Sequence, residues 1–142
     1  MEEVGAGIGG VVAGIASIAA VRVIVAPAGK RAEVLFWSWA LVVCTAIYVG
    51  FAYWNDPQML TTETVGMAVY LPCTLLAVRT RSRLWSYTSV AVGWSAHALW
   101  DLAHGDGDAL PLPAGHVPQW YKPMCIGYDL AVGALLYQQA TK

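Results

Sequence analysis

The chain has 142 residues, 58% hydrophobic and only 12% charged, with a mean hydropathy of +0.54. Those values exclude an ordinary soluble domain, and a net charge of −1 gives no reason to expect a nucleic-acid partner. The composition is that of an all-α, polytopic membrane protein, read as a single domain over residues 1–142 in a lipid bilayer.

The first apolar run covers residues 4–26. Its leading Met1-Glu2-Glu3 is acidic, and the run outlasts a short signal-peptide core, so it reads as a retained membrane helix. Gly5-x-Gly7-x-x-Gly10 matches the dinucleotide fingerprint, but no strand precedes it and no βαβ unit fits. The same glycines give Gly5-x-x-x-Gly9 and Gly10-x-x-x-Gly14, followed by Ala13-x-x-x-Ser17, a spacing that lets helices approach closely and predicts a homo-oligomer through this helix. Pro27 and Gly29 end it.

A second span is expected over 34–54, closed by Asn55-Asp56-Pro57, and a third over 61–78, with a kink at Pro72. Arg79-Thr80-Arg81-Ser82-Arg83 separates it from a fourth span over 84–104. The long connection from Gly105 to Gln119 carries Gly105, Gly107, Pro111, Pro113, Gly115 and Pro118 and reads as a lid. A fifth span over 121–140 has Pro123 in its first turn, where the missing N–H is harmless. The three cysteines, Cys44, Cys73 and Cys125, stand singly in apolar stretches and read as buried free thiols.

Five crossings put Arg22, Lys30, Arg31, Arg79, Arg81, Arg83 and Lys142 on one side, leaving only Lys122 opposite. The positive-inside rule then expects a cell-membrane protein with its N-terminus outside and its C-terminus cytoplasmic. Trp37, Trp39, Trp85, Tyr87 and Tyr137 are expected at the inner interface, and Tyr53, Trp54, Trp120 and Tyr121 at the outer one. Almost every acid and histidine sorts to the outer end, Glu33 excepted.

The most informative run is His97-Ala98-Leu99-Trp100-Asp101-Leu102-Ala103-His104. His97, Asp101 and His104 are spaced i, i+4, i+7, on one helical stripe with Val90 and Trp94. Ionisable groups at this depth are costly and usually face a protein interior or a wet cavity. Asp129, seven residues past Lys122, reaches a similar depth, so Asp101 and Asp129 are expected as an acid–base pair with His97 as their partner. Either aspartate could equally be a structural polar contact between helices. Glu63, Tyr70, Trp94, Trp100, Tyr121 and Cys125 are candidates to line a substrate pocket.

A divalent metal, zinc or iron, is a further expectation, with His97, Asp101, His104 and His116 as candidate ligands. His97 and His104 lie about 10 Å apart along a helix axis, so they cannot share one ion. Only Asp101 paired with one of them can, with Glu63, His116 or Asp129 completing the shell.

Two blocks, Gly93-Trp94-Ser95-Ala96-His97-Ala98-Leu99-Trp100-Asp101-Leu102-x-His104 and Pro118-x-Trp120-Tyr121-x-Pro123-x-Cys125-Ile126-Gly127-Tyr128-Asp129, resemble a family of small bacterial integral membrane proteins classed only as a domain of unknown function. The resemblance implies the five-helix architecture and no activity. In architecture the chain is also similar to small membrane isomerases and cyclases of sterols and terpenoids. The function expected is acid–base chemistry on a lipophilic substrate. Proton- or cation-coupled transport and a non-catalytic accessory subunit are the alternatives.

Overall fold

The computed structural model describes residues 2–104, 112 and 116–142. Most of the connection expected to act as a lid, including Asp106 and Asp108, lies outside the described residues. Among the described residues five α-helices follow one another: α1 (Glu2–Ile24), α2 (Lys30–Asn55), α3 (Leu60–Arg79), α4 (Arg83–Ala103) and α5 (Tyr121–Ala140). Short 3₁₀ turns at Ala26–Ala28 and Pro57–Met59 join the first three.

Boundaries follow the expected breaks, with one shift. α2 begins at Lys30 rather than at residue 34, because Lys30, Arg31, Ala32 and Glu33 are good helix formers that hydropathy alone leaves out. α3 runs unbroken through Pro72. Glu3–Ile24, Lys30–Asn55 and Pro57–Arg79 are long and apolar enough to cross a membrane. α4 and α5 match them in length, but His97 and Asp101 on one and Asp129, Gln138 and Gln139 on the other lower their hydropathy.

α5 lies between α1 and α4, and α2 and α3 pack on each other and on α4. α1 and α5 touch backbone to backbone: a Cβ on Gly10 would stand 1.9 Å from the Met124 carbonyl oxygen, and one on Gly127 2.2 Å from that of Gly7. The close approach expected of the Gly10/Gly14 spacing is thus made to α5 of the same chain, while Gly5 and Gly9 face open space.

The core is centred on Trp37, Leu41, Val90, Trp94, Val132 and Leu136. Trp37 and Trp94 meet edge to face at 6.0 Å, and the Trp94 indole N–H donates to the Trp37 carbonyl oxygen (3.3 Å). Outward faces carry Val12, Val43, Val69, Leu75, Leu99 and Leu130, all exposed. Of the aromatic residues expected at the interfaces, Trp39, Trp54, Trp85 and Trp120 are exposed, whereas Trp37, Tyr87 and Tyr121 are buried. Tyr87 turns inward because the buried Glu33 carboxylate requires a donor, and its hydroxyl supplies one at 2.6 Å.

Basic residues gather where α2 and α4 begin and α3 ends; the buried acids and histidines, Glu33 excepted, gather toward the end where α2 and α4 finish and α3 and α5 begin.

Candidate functional site

The α4 stripe read from the sequence is a buried face: Val90, Trp94, His97, Asp101 and His104 are each 1% exposed. The polar half of that face meets α5, α3 and α2 toward the end of the bundle where α4 finishes and α5 begins, and forms two adjoining centres.

In the first, the imidazole Nδ1 of His97 lies 2.6 Å from Asp129 Oδ2 and 3.7 Å from Asp101 Oδ2. The shorter contact has the length of a charge-assisted hydrogen bond in which nitrogen donates. Helix geometry sets Asp101 one turn above His97, and the close packing of α5 on α4, with Gly133 against Ser95, brings Asp129 across. Tyr48 lies against Asp101, and Cys44 approaches both His97 and Asp129. Both Asp101 oxygens, Asp129 Oδ1 and the Tyr48 hydroxyl complete no hydrogen bond of ordinary geometry, although all are buried. Buried polar atoms of this kind are costly to leave unpaired, and Tyr48, Asp101 and Asp129 lie close enough to interact with one another.

Glu63, in the first turn of α3, organises the second centre. Its Oε1 faces His104 Nε2 at 2.7 Å and His116 Nε2 at 3.0 Å, and its Oε2 accepts from the Trp100 indole N–H at 3.3 Å. The Nδ1–H of His104 donates to the Trp100 carbonyl oxygen (2.9 Å), so in a neutral ring Nε2 would turn a lone pair on the carboxylate, and in an imidazolium it donates to it. With the neutral ring two acceptors face each other there, and a proton or a cation must stand between them. These three residues are 1–2% exposed, and their ligand atoms all lie within 4.8 Å of one another, a group that could hold a metal ion. Cys44, His97 and Asp129 form a second such group. Asp101 belongs to neither, so of the four candidate ligands His104 and His116 fall together, His97 falls in the other group, and the expected sharing of an ion through Asp101 is not seen.

Supporting contacts come from every neighbouring element. Asn55 at the end of α2 donates to the His116 carbonyl oxygen (2.9 Å), Lys122 to that of His104 (2.9 Å), and Leu112 pairs with His104 in an isolated bridge. The Tyr48 ring links the two centres, 5.7 Å from the His97 ring and 5.4 Å from that of His104.

The expected lining residues take different places. Trp100 orients both Glu63 and His104. Tyr70 stands edge-on to His97 at 5.5 Å. Tyr121 and Cys125 pack with Tyr48 beneath Val117, whereas Trp94 sits a turn deeper, packed between Trp37 and Tyr128. Sequence reasoning missed three residues. Tyr48 and Cys44 carry no motif, and Gly66 reads as filler, yet a Cβ there would stand 2.3 Å from the Trp100 indole that fixes Glu63.

Compared with known protein families, curated proteins and solved structures, the chain matches none.

Proposed function

We propose that the protein is a five-span membrane protein, N-terminus outside, whose outer end is a metal-assisted acid–base site acting on a lipophilic substrate. The observation that carries this reading is the single carboxylate oxygen of Glu63 facing two imidazole nitrogens, beside a histidine whose Nδ1 meets Asp129 at 2.6 Å with Asp101 at 3.7 Å. Outward-facing Val92, Leu99 and Leu130 support α4 and α5 as spans.

Glu63, His104 and His116 fit a divalent metal. Two histidines and a carboxylate suit zinc with an open fourth position, or iron. Trp100 already holds the far atoms of two of these ligands, as outer-shell partners of metal sites do. Glu63 would hold the ion through Oε1 and the two histidines through Nε2, atoms that already lie within 4.8 Å of one another. A bound metal supplies a Lewis acid or an activated water. His97 with Asp129 moves a proton through Nδ1, Asp101 offers a second carboxylate, and Tyr48 stands between the centres.

A lipid extract incubated with purified protein tests the reading by mass spectrometry. A product formed by wild type and not by Asp129→Asn is expected, with metal bound equally to both. Identical lipid profiles, together with proton uptake by proteoliposomes that Asp129→Asn abolishes, would transfer the site to transport.

A further inference from the structure

The opposite end of the bundle carries a different kind of site. A cavity of about 260 Å³ opens between the start of α2, the end of α3 and the start of α4, and Lys30, Arg31, Arg81 and Arg83 line it with Thr80 and Ser86. α2 begins there without a side-chain cap, so its positive end adds to the four cations. Glu33, the acid of this end, is buried and engaged by the Tyr87 hydroxyl. Arg31 and Arg83 each spend one donor on a carbonyl, of Val78 and Gln139 respectively, which fixes their positions and leaves further guanidinium donors.

An apolar groove of about 410 Å³ adjoins this cavity, and Leu35 and Val78 line both. It runs between α2 and α3 past Trp39, Val42, Leu71 and Leu75. Its two polar residues are neutral, and the Thr74 hydroxyl already donates to the Leu71 carbonyl oxygen. Along the stretch of α2 that lines the groove, from Leu35 to Val42, the helix rises about 10 Å, within the roughly 15 Å of one leaflet's hydrocarbon half. A cationic pocket continuous with an apolar groove that stays within one leaflet's depth matches an amphiphile with an anionic head.

We propose that this end binds an anionic phospholipid, its headgroup phosphate among Lys30, Arg31, Arg81 and Arg83 and one acyl chain in the α2–α3 groove. The proposal rests only on the membrane placement of α2 and α3. A free phosphate would use the cations and leave the groove empty.

Native mass spectrometry of the full chain in detergent tests it, with phosphatidylglycerol and phosphatidylcholine of equal chains as probes. Lys30 and Arg81 are exposed, so Lys30→Gln/Arg81→Gln leaves the fold intact. At about 1 kcal/mol, or fivefold, per cation, the double variant should lose roughly thirtyfold in phosphatidylglycerol affinity, and phosphatidylcholine little. Leu75→Trp fills the groove from an exposed position and should weaken phosphatidylglycerol as well. Asp129→Asn should leave the lipid preference unchanged, so failure of the outer-end reading is seen separately. Equal affinity for the two lipids, or a double variant that binds as wild type, overturns the proposal. So does phosphatidylglycerol binding that ignores Leu75→Trp and is displaced by inorganic phosphate, which would make the pocket a phosphate site.

Discussion

Gly10→Ala and Gly9→Ala, adjacent changes on one helix, should move stability in opposite directions. The new Cβ at Gly10 would lie 1.9 Å from the Met124 carbonyl oxygen and 2.9 Å from the Tyr128 nitrogen, both backbone atoms that cannot rotate aside. Ordinary contact begins near 3.4 Å, so α1 must retreat from α5 by about 1.5 Å at this point. A gap of even 0.5–1 Å forfeits a quarter to a half of each dispersion contact beside it, and overpacking of this kind costs about 1–3 kcal/mol. α1 packs on α5 and has no other helix to hold it as closely. At Gly9 nothing lies within 4 Å, and alanine gains up to about 1 kcal/mol of helix propensity. Thermal melting followed by circular dichroism in one detergent should show Gly10→Ala lower by roughly 4–8 °C and Gly9→Ala level or higher. Hydrogen exchange should place the loss in α1. If Gly10→Ala melts with or above wild type, the backbone contact between α1 and α5 is refuted.

Further outcomes concern the interior and the membrane. Asp129→Leu removes the partner of His97 Nδ1 and should destabilise by about 3–5 kcal/mol, whereas Asp129→Asn should fold; equal stability of the two would show the 2.6 Å contact to be idle. Gly66→Ala should displace the Trp100 indole and weaken zinc binding about 10–100-fold by isothermal titration, and unchanged affinity would deny Trp100 its orienting role. Tyr87→Phe leaves the buried Glu33 carboxylate without its hydroxyl donor and should cost about 1–3 kcal/mol in chemical denaturation. Impermeant maleimide should label Gln58→Cys from outside and Ser82→Cys only from inside, above the background of native cysteines. Labelling of both from one side would break the proposed topology.

The sequence disclosed helix number and order because the breaks are chemical: Pro27 with Gly29, Asn55-Asp56-Pro57 and the arginine cluster each end a helix where expected. The stripe of His97, Asp101 and His104 was legible for a similar reason, since residues four and seven apart share a face whatever packs on it. Partner choice was not. Whether His104 meets Asp101 on its own helix or Glu63 on α3 depends on how α3 crosses α4, which no local pattern records. The burial of Trp37 and Tyr87 was not legible, and Tyr121 read both as belt and as pocket lining, because an aromatic near a helix end serves a belt or a core equally well and only the neighbours decide. Gly66 was invisible because its role is the space it leaves for Trp100.

The central claim is the metal centre, and anomalous diffraction from crystals grown with zinc tests it most directly. The account predicts one strong peak bonded to Glu63, His104 and His116 at about 2.0–2.1 Å, lost in Glu63→Gln. A metal-replete structure with density elsewhere, and with Glu63 still hydrogen-bonded to both histidines, would contradict it.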